Sequence, residues 1–356
     1  MGFLKKLFGG RTHTVTAQPS GRQFTVNSGQ SILESALAQG IAFPHSCTVG
    51  TCGSCKCRLV SGKIREISNF AYVLEASELQ SGIILACQAE AKTDVTLDVP
   101  DLSDKQLHPS GDFTGSLIGT HDLTHDIKQV TIALDRPLKF DAGQYVHLAV
   151  PEVWGARAYS CAVAPAPNGN SELTFFIRHV PGGAFTDALF DGKLDGKPLK
   201  VHGPSGNFWL RESRAPMICI AGGSGLAPLV SILHAAAARN VGRPCVLLFG
   251  ARTQTDLYAQ AEIAAIARTW NGAFTFVPVL SQEPVESDWR GDRGLVTERI
   301  EAHANALAGP DAEGYLCGPP VMIDAAMPVL AALGLRAANI HFDKFLDGSH
   351  GLHRNG

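Results

Sequence analysis

The sequence lacks a strong excess of charge of either sign, since its formal net charge is −3 and charged residues make up only 18% of the chain. A general nucleic-acid binder normally carries a strongly basic face, so this balance argues against that class. Internal repeats and low-complexity tracts are also missing. With 356 residues, 45% of them apolar, the sequence predicts a globular chain of two or three domains.

No uninterrupted apolar run of membrane-spanning length is present either. The stretch PMICIAGGSGLAPLVSILHAAAA contains Gly222, Gly223, Gly225 and Pro228, which favours a strand, a loop and a helix over one spanning helix. The first residues, MGFLKKLFGG, lack the long apolar region and cleavage site of a signal peptide. We expect a cytoplasmic protein, and the apolar and lysine residues of this tail leave open an attachment at the inner membrane surface.

The nine cysteines lack the even count and spacing of a secreted disulfide framework, which indicates a reducing compartment. Five of them fall between Cys47 and Cys87, and the others are scattered through apolar segments.

Changes in the pattern of predicted strands, turns and helices along the chain divide it into domains. Strand patterns and a helix that Ser31 can cap come first, then short strands with Gly/Pro turns, then apolar strands alternating with helices. The prediction is a multidomain α+β and α/β protein with a β-grasp-like first domain, an antiparallel barrel and a parallel Rossmann-like sheet. We predict the following segments: an N-terminal tail at 1–11, the first domain at 12–100, a linker at 101–112, the barrel at 113–212, the parallel-sheet domain at 213–346 and a C-terminal tail at 347–356.

The stretch CTVGTCGSCKC packs four thiols, Cys47, Cys52, Cys55 and Cys57, into a glycine-containing loop, and Cys87 follows in GIILACQ. The spacing C-x4-C-x2-C with a distant fourth cysteine is typical of plant-type two-iron clusters. Glycines let a loop wrap closely around a cluster that is bulkier than one zinc ion. Zinc in a non-redox scaffold is the alternative, and it would more naturally use a second short cysteine pair downstream.

The segments FPHSCTVGTCGSCKCRLVSGKI and LACQ resemble the plant-type ferredoxin family across the whole first domain. The resemblance implies a 2Fe-2S cluster held by Cys47, Cys52, Cys55 and Cys87. It leaves Cys57 as a packed residue that does not bind the cluster.

Two phrases in the barrel segment indicate a flavin site. RAYSCA offers a guanidinium, an aromatic ring and a hydroxyl, and FFIRHVPGGAFTDALF places a glycine turn before a helix, where N–H groups can meet a pyrophosphate. Together they resemble the flavin domain of the ferredoxin-NADP reductase superfamily. That resemblance implies FAD, with Arg157 on its phosphate, Tyr159 stacked on the ring and Ser160 near the reactive nitrogen. The remaining candidates for binding FAD are Ala158, Ile177, Arg178, Val180, Gly182, Gly183, Phe185 and Thr186.

The third segment carries MICIAGGSGLAPLVSIL, which predicts a strand, a glycine-rich loop and a helix at a dinucleotide site. It is not G-x-G-x-x-G, but it is similar to the superfamily motif G-G-[ST]-G-[IL]-A-P. LFGART and YLCGPP end later strands, and the resemblance places Cys317 beside the nicotinamide, with Phe345 covering the flavin. The candidates for this site are Gly222, Gly223, Ser224, Gly225, Leu226, Ala227, Pro228, Gly250, Arg252, Asp256, Cys317, Gly318 and Pro319.

The nucleotide preference rests on two residues. Arg252 could meet a 2′-phosphate, whereas Asp256 in TDLY would repel one, and TQTDLY lacks further basic side chains. The sequence therefore favours NADH, with NADPH left open.

Domain order and motifs resemble the NADH-dependent reductase components of bacterial multicomponent oxygenases over nearly all of the chain. The family implies transfer of electrons from NADH to FAD, then to the 2Fe-2S cluster, then to a terminal oxygenase or hydroxylase as partner. A membrane-bound di-iron hydrocarbon monooxygenase is the expected acceptor, and catalytic roles fall to Cys317, Ser160 and Phe345. A soluble oxygenase or a deoxysugar-forming enzyme is the alternative acceptor.

Overall fold

The computed structural model describes residues 12–45, 48–50, 53–100, 102, 105, 107–151, 153 and 155–345. Their contacts divide into two compact units. The first lies within Met1–Gly111 together with Gly203–Asn207, and the second within Asp112–His202 and Phe208–Gly356. The segment boundaries predicted within these units stay predictions.

The first unit is a small mixed sheet with one helix packed against it. Its elements are β1 Thr12–Gln18, β2 Arg22–Asn27, α1 Ile32–Ala38, β3 Lys56–Ser61, β4 Ile64–Glu66, α2 Ala76–Gln80, β5 Ile83–Leu85, β6 Ala89–Ala91 and β7 Val95–Asp98. The sheet order is β2-β1-β7-β3-β5, with β1 and β7 parallel and β4 paired to β6 separately. This is the β-grasp arrangement that the sequence predicted.

Helix α1 forms where its capping signal predicts. Ser31 Oγ accepts a hydrogen bond from Glu34 N at 3.1 Å, which satisfies one of the free donors of the first turn. Ile32, Leu33 and Ala36 are buried against the strands, because residues spaced by three or four positions share one face of a helix.

The second unit begins with a six-stranded sheet, in the order β11-β10-β13-β8-β9-β12. Its elements are β8 Gly111–Asp122, β9 Ile127–Leu138, β10 Tyr145–Ala149, β11 Arg157–Ser160, β12 Asn170–Arg178, α3 Ala184–Phe190 and β13 Pro198–Ser205, although Gly111 and the last three residues of β13 are counted with the first unit. Just beyond β11, Cys161 bridges Phe175 of β12, and Ala162 N donates to Thr174 O at 2.7 Å. The two ends of the sheet therefore meet, which closes it into the predicted barrel.

The rest of the second unit is a parallel sheet covered by helices. Its elements are β14 Met217–Gly222, α4 Leu226–Ala238, β15 Cys245–Ala251, α5 Gln260–Thr269, β16 Phe274–Leu280, β17 Asp292–Arg293, α6 Ile300–Ala304, β18 Glu313–Gly318, α7 Pro320–Ala332 and β19 Ile340–Lys344. The order β17-β16-β15-β14-β18-β19 reverses direction at β14, and each neighbouring pair is parallel. Such a reversal opens a crevice at the carboxyl ends of the strands, where open α/β sheets bind ligands.

A buried ion pair lies near the amino ends of these strands. Arg243 Nη2 donates to Glu313 Oε2 at 3.0 Å, and the Tyr315 hydroxyl donates to the same oxygen at 2.5 Å. The Arg243 side chain is only 1% exposed. Because a buried guanidinium needs a charged partner, this contact fixes the start of β18 against the loop before β15.

Candidate functional site

In the first unit, two of the predicted cluster cysteines lie side by side. Cys55 and Cys87 are buried, and their Sγ atoms are 3.2 Å apart. Two thiolates that each lie about 2.3 Å from a metal can share one ion at this separation. Cys47 and Cys52 lie outside the described residues. The two described thiols can therefore ligate one metal ion, as a ligand pair of a 2Fe-2S cluster or of a zinc site does.

The loop around these cysteines is held against the turn that carries Cys87. Gly50 has a left-handed φ of +79°, and a Cβ there would lie 2.6 Å from Gln88 Cγ. Gln88 Nε2 also donates to Thr48 O at 3.5 Å, at the limit of a hydrogen bond. A glycine at position 50 is what allows the loop to approach the Cys87 turn this closely.

Cys57 has a different environment from Cys55. It lies on β3 opposite Ile84 and is buried in the apolar core of the first unit. Burial raises the pKa of its thiol, with the nearby Cys55 and Asp98 adding to the effect. A neutral thiol in an apolar core behaves as a small hydrophobic side chain.

In the second unit, β11 presents the RAYS phrase along one edge of the barrel. Arg157 and Ala158 are exposed, Tyr159 is half-buried, and Ser160 is buried opposite Tyr145 of β10. The Tyr159 ring lies 5.4 Å from that of Phe185, at the start of α3. An aromatic ring, a guanidinium and a hydroxyl thus lie on one short strand, as a flavin site requires.

The predicted pyrophosphate turn joins β12 to α3. The Thr186 hydroxyl donates to Val180 O at 3.0 Å and to Gly183 O at 3.1 Å, and it accepts from Val180 N at 3.2 Å. Thr186 therefore closes the turn itself. A Cβ at Gly183 would lie 2.8 Å from both Val180 O and Thr186 Oγ1. Gly182 lies at the tip of this turn. The turn begins directly after Ile177 and Arg178, the last residues of β12.

The glycine-rich loop after β14 packs tightly against the end of β18. A Cβ at Gly225 would lie 2.2 Å from Cys317 O, which no adjustment of a side chain could relieve. The Tyr258 hydroxyl donates to Gly223 O at 2.9 Å and so holds the loop from its other side. The remaining predicted residues of this segment are placed as follows: Gly222 ends β14, Ser224 is in the loop, and Leu226, Ala227 and Pro228 are buried in the first turn of α4.

A cavity of about 200 Å³ opens at the carboxyl ends of β14, β15 and β16. Residues from both the barrel and the parallel sheet line it, among them Asp126, Arg178, Gly223, Gly250, Arg252, Asp256 and Pro319. It lies at the reversal of strand order, so the predicted nucleotide residues Gly222, Gly223, Gly250, Arg252, Asp256 and Pro319 come together at one crevice.

Charges are paired on the wall of this cavity. Arg252 Nη2 donates to Asp126 Oδ2 at 2.9 Å and to Asp256 Oδ1 at 3.0 Å. Arg178 Nε donates to the same Asp126 oxygen at 3.0 Å. Burial opposes ionisation of Asp126, but the charges of Arg178 and Arg252 prevail and hold its pKa below the ordinary value.

Cys317, Ser160 and Phe345 lie around the carboxyl ends of β18 and β19. Cys317 is fully buried at the end of β18, and Phe345 N donates to Gly318 O at 2.9 Å. Ser160 Oγ lies 3.5 Å from Asp343 Oδ2, at the limit of a hydrogen bond. Burial raises the pKa of Asp343 to about 7, although the Ser160 contact acts in the opposite direction.

Sequence reasoning missed two carboxylates of this site. Asp343 stands in IHFDKFL, where only Phe345 was predicted, and no local sequence signal marks this aspartate as buried. Asp126 lies in a turn of the barrel, and no sequence motif connects it with Arg252.

Comparisons with known proteins agree with this architecture. Residues 15–92 match the 2Fe-2S iron-sulfur cluster binding domain, residues 114–209 the oxidoreductase FAD-binding domain, and residues 219–327 the oxidoreductase NAD-binding domain. The protein is thus a flavin-dependent oxidoreductase of the ferredoxin-reductase class, with 2Fe-2S, FAD and NAD-binding domains in one chain.

Proteins of similar sequence identify the family within this class. The chain is 42% identical to the xylene/toluene monooxygenase electron transfer component XylA of Pseudomonas putida, covering 93% of each chain. It is 36% identical to the phenol 2-monooxygenase reductase component DmpP of Pseudomonas sp., covering 96% of each. The chain belongs to the family of electron-transfer reductase components of multicomponent oxygenases, which carry electrons from a nicotinamide nucleotide through FAD and 2Fe-2S to an oxygenase component.

Solved structures of reductases superpose on most of the chain. The Amycolatopsis reductase GcoB superposes with a TM-score of 0.83 at 37% identity, covering 94% of this chain and 98% of that one. The ferredoxin reductase in carbazole 1,9a-dioxygenase superposes with a TM-score of 0.73 at 29% identity, covering 94% and 99%. Among the described residues, no helix combines the length and the apolar character needed to cross a membrane.

Proposed function

We propose that the protein uses NADH as its electron donor and reduces the terminal hydroxylase of an aromatic-hydrocarbon monooxygenase. The observation that carries the NADH preference is the pairing of Arg252 with two carboxylates, Asp126 and Asp256, in the nucleotide crevice. A guanidinium that is already neutralised offers little attraction to an additional phosphate.

In the first unit, Cys47, Cys52, Cys55 and Cys87 are proposed as the cluster ligands. The support is the adjacency of the Cys55 and Cys87 sulfurs and the close approach of the loop at Gly50. The bound cluster accepts single electrons, which suits it to follow a flavin that collects them in pairs.

In the barrel, we assign FAD binding to the edge formed by β11 and the turn before α3. Arg157 would pair with a phosphate, Tyr159 would stack on the ring system, and Gly182 and Gly183 would bring backbone N–H groups close to the pyrophosphate. The bound flavin accepts a hydride and releases single electrons. Neighbouring positions complete the proposed set: Ala158, Ile177, Arg178, Val180, Phe185 and Thr186.

At the nicotinamide end, the proposed roles follow from burial. Cys317 and Gly318 would shape the floor of the crevice, Phe345 would cover it, and Ser160 would offer a hydroxyl. Cys317 and Ser160 are buried, and Phe345 N donates to Gly318 O. The Asp343 carboxyl can gain or lose a proton near neutral pH, because burial raises its pKa to about 7. Exclusion of water by these side chains protects electron transfer from side reactions.

Anaerobic titration tests the donor and the order of transfer together. NADH should bleach the flavin bands and then the broad red-brown absorption of the cluster, at far lower concentration than NADPH. Equal responses to the two nucleotides would refute the NADH preference. A colourless intact protein would refute the electron-transfer function and favour the zinc alternative.

For the acceptor, we propose a membrane-bound di-iron monooxygenase and a location in the cytoplasm at the inner membrane surface. The support is the similarity to the xylene/toluene monooxygenase component. Other relatives are reductases of naphthalene dioxygenase and of an aromatic O-demethylase, so a soluble oxygenase is the competing acceptor.

A panel of purified hydroxylases, each assayed for product formation per NADH consumed, separates the two kinds of acceptor. The tail at residues 1–11, which lies outside the described residues, is tested separately. Deletion of residues 1–9 should weaken co-sedimentation with membranes that contain the hydroxylase. Unchanged co-sedimentation would exclude a role for the tail.

A further inference from the structure

Tyr258 is a buried tyrosine that links the glycine-rich loop to the body of the second unit. Its hydroxyl donates to Gly223 O at 2.9 Å, and the residue is only 4% exposed. The ring packs edge to face on Phe176 of β12, with centroids 5.4 Å apart, and on Phe249 of β15, with centroids 5.5 Å apart. The tyrosine therefore contacts the barrel, the parallel sheet and the loop at once.

The backbone after Tyr258 is fixed as well. Ala259 has a φ of +55°, in the left-handed region that residues with a Cβ rarely adopt. Helix α5 begins at the next residue, Gln260. A strained conformation of this kind persists only where the surrounding structure determines it. The ring contacts before Ala259 and the helix after it therefore hold the tyrosine in one position.

The hydroxyl of Tyr258 sets the direction of one peptide group in the loop. In a planar trans peptide, the carbonyl group and the following N–H group point in opposite directions. Because Gly223 O faces the buried hydroxyl, the N–H group of Ser224 points away from it. Burial raises the pKa of this hydroxyl well above its ordinary value, so it keeps its proton and remains a donor at neutral pH.

The loop cannot hold this peptide group as firmly by itself. Gly223 has a φ of +54°, and glycine adopts other conformations at little cost. Leu226 N also donates to Gly223 O, but it belongs to the same short turn and can move with it. Tyr258 is anchored outside the turn, so its hydrogen bond opposes rotation of the peptide group between Gly223 and Ser224.

The open side of this loop is suited to a diphosphate. Gly222 and Gly223 line the cavity, as does Arg178, and a Cβ on Gly223 would lie 3.8 Å from Arg178 Nη1. A guanidinium and the N–H groups of a glycine-rich loop before a helix both attract phosphate oxygens. If the peptide group after Gly223 rotated, it would turn its carbonyl oxygen towards the anion and repel it.

We propose that Tyr258 is a positioning residue, which holds the peptide group between Gly223 and Ser224 in the orientation that binds the diphosphate of the nicotinamide nucleotide. This inference rests on the proposed use of NADH and adds a residue outside the glycine-rich motif to the determinants of binding. Loss of the hydroxyl should weaken the binding of every ligand that carries this diphosphate. It should leave the flavin in place, because the proposed pyrophosphate turn for FAD lies before α3 and is closed by Thr186.

The test removes the hydroxyl and keeps the ring. Dissociation constants of ADP-ribose and of 5′-AMP, which lacks the diphosphate, are measured by calorimetry for the oxidised, flavin-replete wild type and Tyr258→Phe. The KM and kcat for NADH are measured in parallel, with ferricyanide as the electron acceptor. The Kd of ADP-ribose and the KM should rise on the order of tenfold, which corresponds to the loss of one buried hydrogen bond. The Kd of 5′-AMP should rise less, and kcat should stay unchanged because saturating nucleotide restores the loop.

Tyr315→Phe is the matched control. It also removes a buried tyrosine hydroxyl, one that donates to Glu313 Oε2 and accepts from Arg211 N at the amino end of β18. This variant should lower the midpoint of thermal unfolding but leave the Kd of ADP-ribose at the wild-type value. A purely structural role of Tyr258 predicts the same behaviour for both variants. Should Tyr258→Phe fail to retain flavin, Phe249→Leu loosens the ring and keeps the hydroxyl, and a smaller rise in the same Kd is expected.

An unchanged Kd of ADP-ribose in folded, flavin-replete Tyr258→Phe overturns the inference, and so does an equal rise in Tyr315→Phe. A loss that is as large for 5′-AMP as for ADP-ribose also contradicts it, because the effect would then not concern the diphosphate. Failure of the proposed function looks different. A wild type that binds ADP-ribose but takes no electrons from NADH would refute the proposed donor, whereas the binding constants of the variants would still decide the role of Tyr258.

Discussion

Cys317 and Asp343 are register partners on the adjacent parallel strands β18 and β19. Both are buried, and burial raises the pKa of the Cys317 thiol, with the Asp343 carboxyl adding to the effect. Burial also raises the pKa of Asp343 to about 7. The pair therefore places a neutral thiol beside a carboxyl that titrates near neutral pH, at the carboxyl ends of β18 and β19, where Ser160 contacts Asp343 and Phe345 contacts Gly318.

The titration of Asp343 predicts a pH-dependent stability. Its pKa rises from 3.8 to about 7 on folding, so between these values the folded protein binds more protons than the unfolded chain. Stability is therefore lost as the pH rises through this window, by on the order of 2 kcal/mol between pH 5.5 and 8. Thermal unfolding of the wild type and of Asp343→Asn at both pH values measures the difference. The asparagine variant should lose less stability over this range, and parallel losses would contradict the assignment.

How much of the molecule could be predicted from sequence depends on the range of the interactions. The helix after Ser31 and the strand, loop and helix around Gly225 follow from caps, glycines and periodicity, all of which act over a few residues. The resemblance to plant-type ferredoxins left Cys57 out of the predicted ligand set, and its place on β3 in the apolar core agrees with that prediction.

The carboxylates that were missed depend on long-range packing. Asp126 meets Arg252 only because the barrel and the parallel sheet bring together residues that are 126 positions apart in the chain. The raised pKa of Asp343 arises from burial by several elements, and nothing in IHFDKFL by itself separates an exposed aspartate from an enclosed one.

The two cysteines Cys57 and Cys87 should respond differently to replacement by serine. Cys87→Ser removes a sulfur that lies 3.2 Å from Cys55 Sγ, so we expect loss of the cluster. Cys57→Ser should retain the cluster and lose roughly 1–3 kcal/mol of stability, because a hydroxyl replaces a thiol in an apolar core. Iron and sulfide content, together with visible absorption, distinguishes the two outcomes. Retention of the cluster in Cys87→Ser with its loss in Cys57→Ser would mean that Cys57 is the fourth ligand.

Gly225 should tolerate no side chain. A Cβ there would lie 2.2 Å from Cys317 O and 2.5 Å from Cys317 C, both of them backbone atoms. We expect Gly225→Ala to cost roughly 1–3 kcal/mol of stability and to raise the KM for NADH, since the loop must move away from β18. Gly119→Ala is the matched control, because nothing lies within 4 Å of its Cβ position. Thermal unfolding and flavin-reduction kinetics of both variants provide the comparison, and equal behaviour would argue against the close packing of the loop.

The buried contact between Arg243 and Glu313 should dominate the stability of the parallel sheet at its amino ends. Glu313 Oε2 accepts from both Arg243 and Tyr315, so Glu313→Gln leaves a guanidinium that is 1% exposed without its counter-charge. We expect a loss of about 3 kcal/mol, which lowers the midpoint of thermal unfolding by roughly 6–12 °C in a unit of this size. Asp311→Asn removes an ion pair with Arg336 in which both side chains are exposed, and it should cost less than about 1 kcal/mol. Similar shifts for the two variants would show that Arg243 finds enough support from the backbone carbonyls of Arg211 and Ala215, to which it also donates.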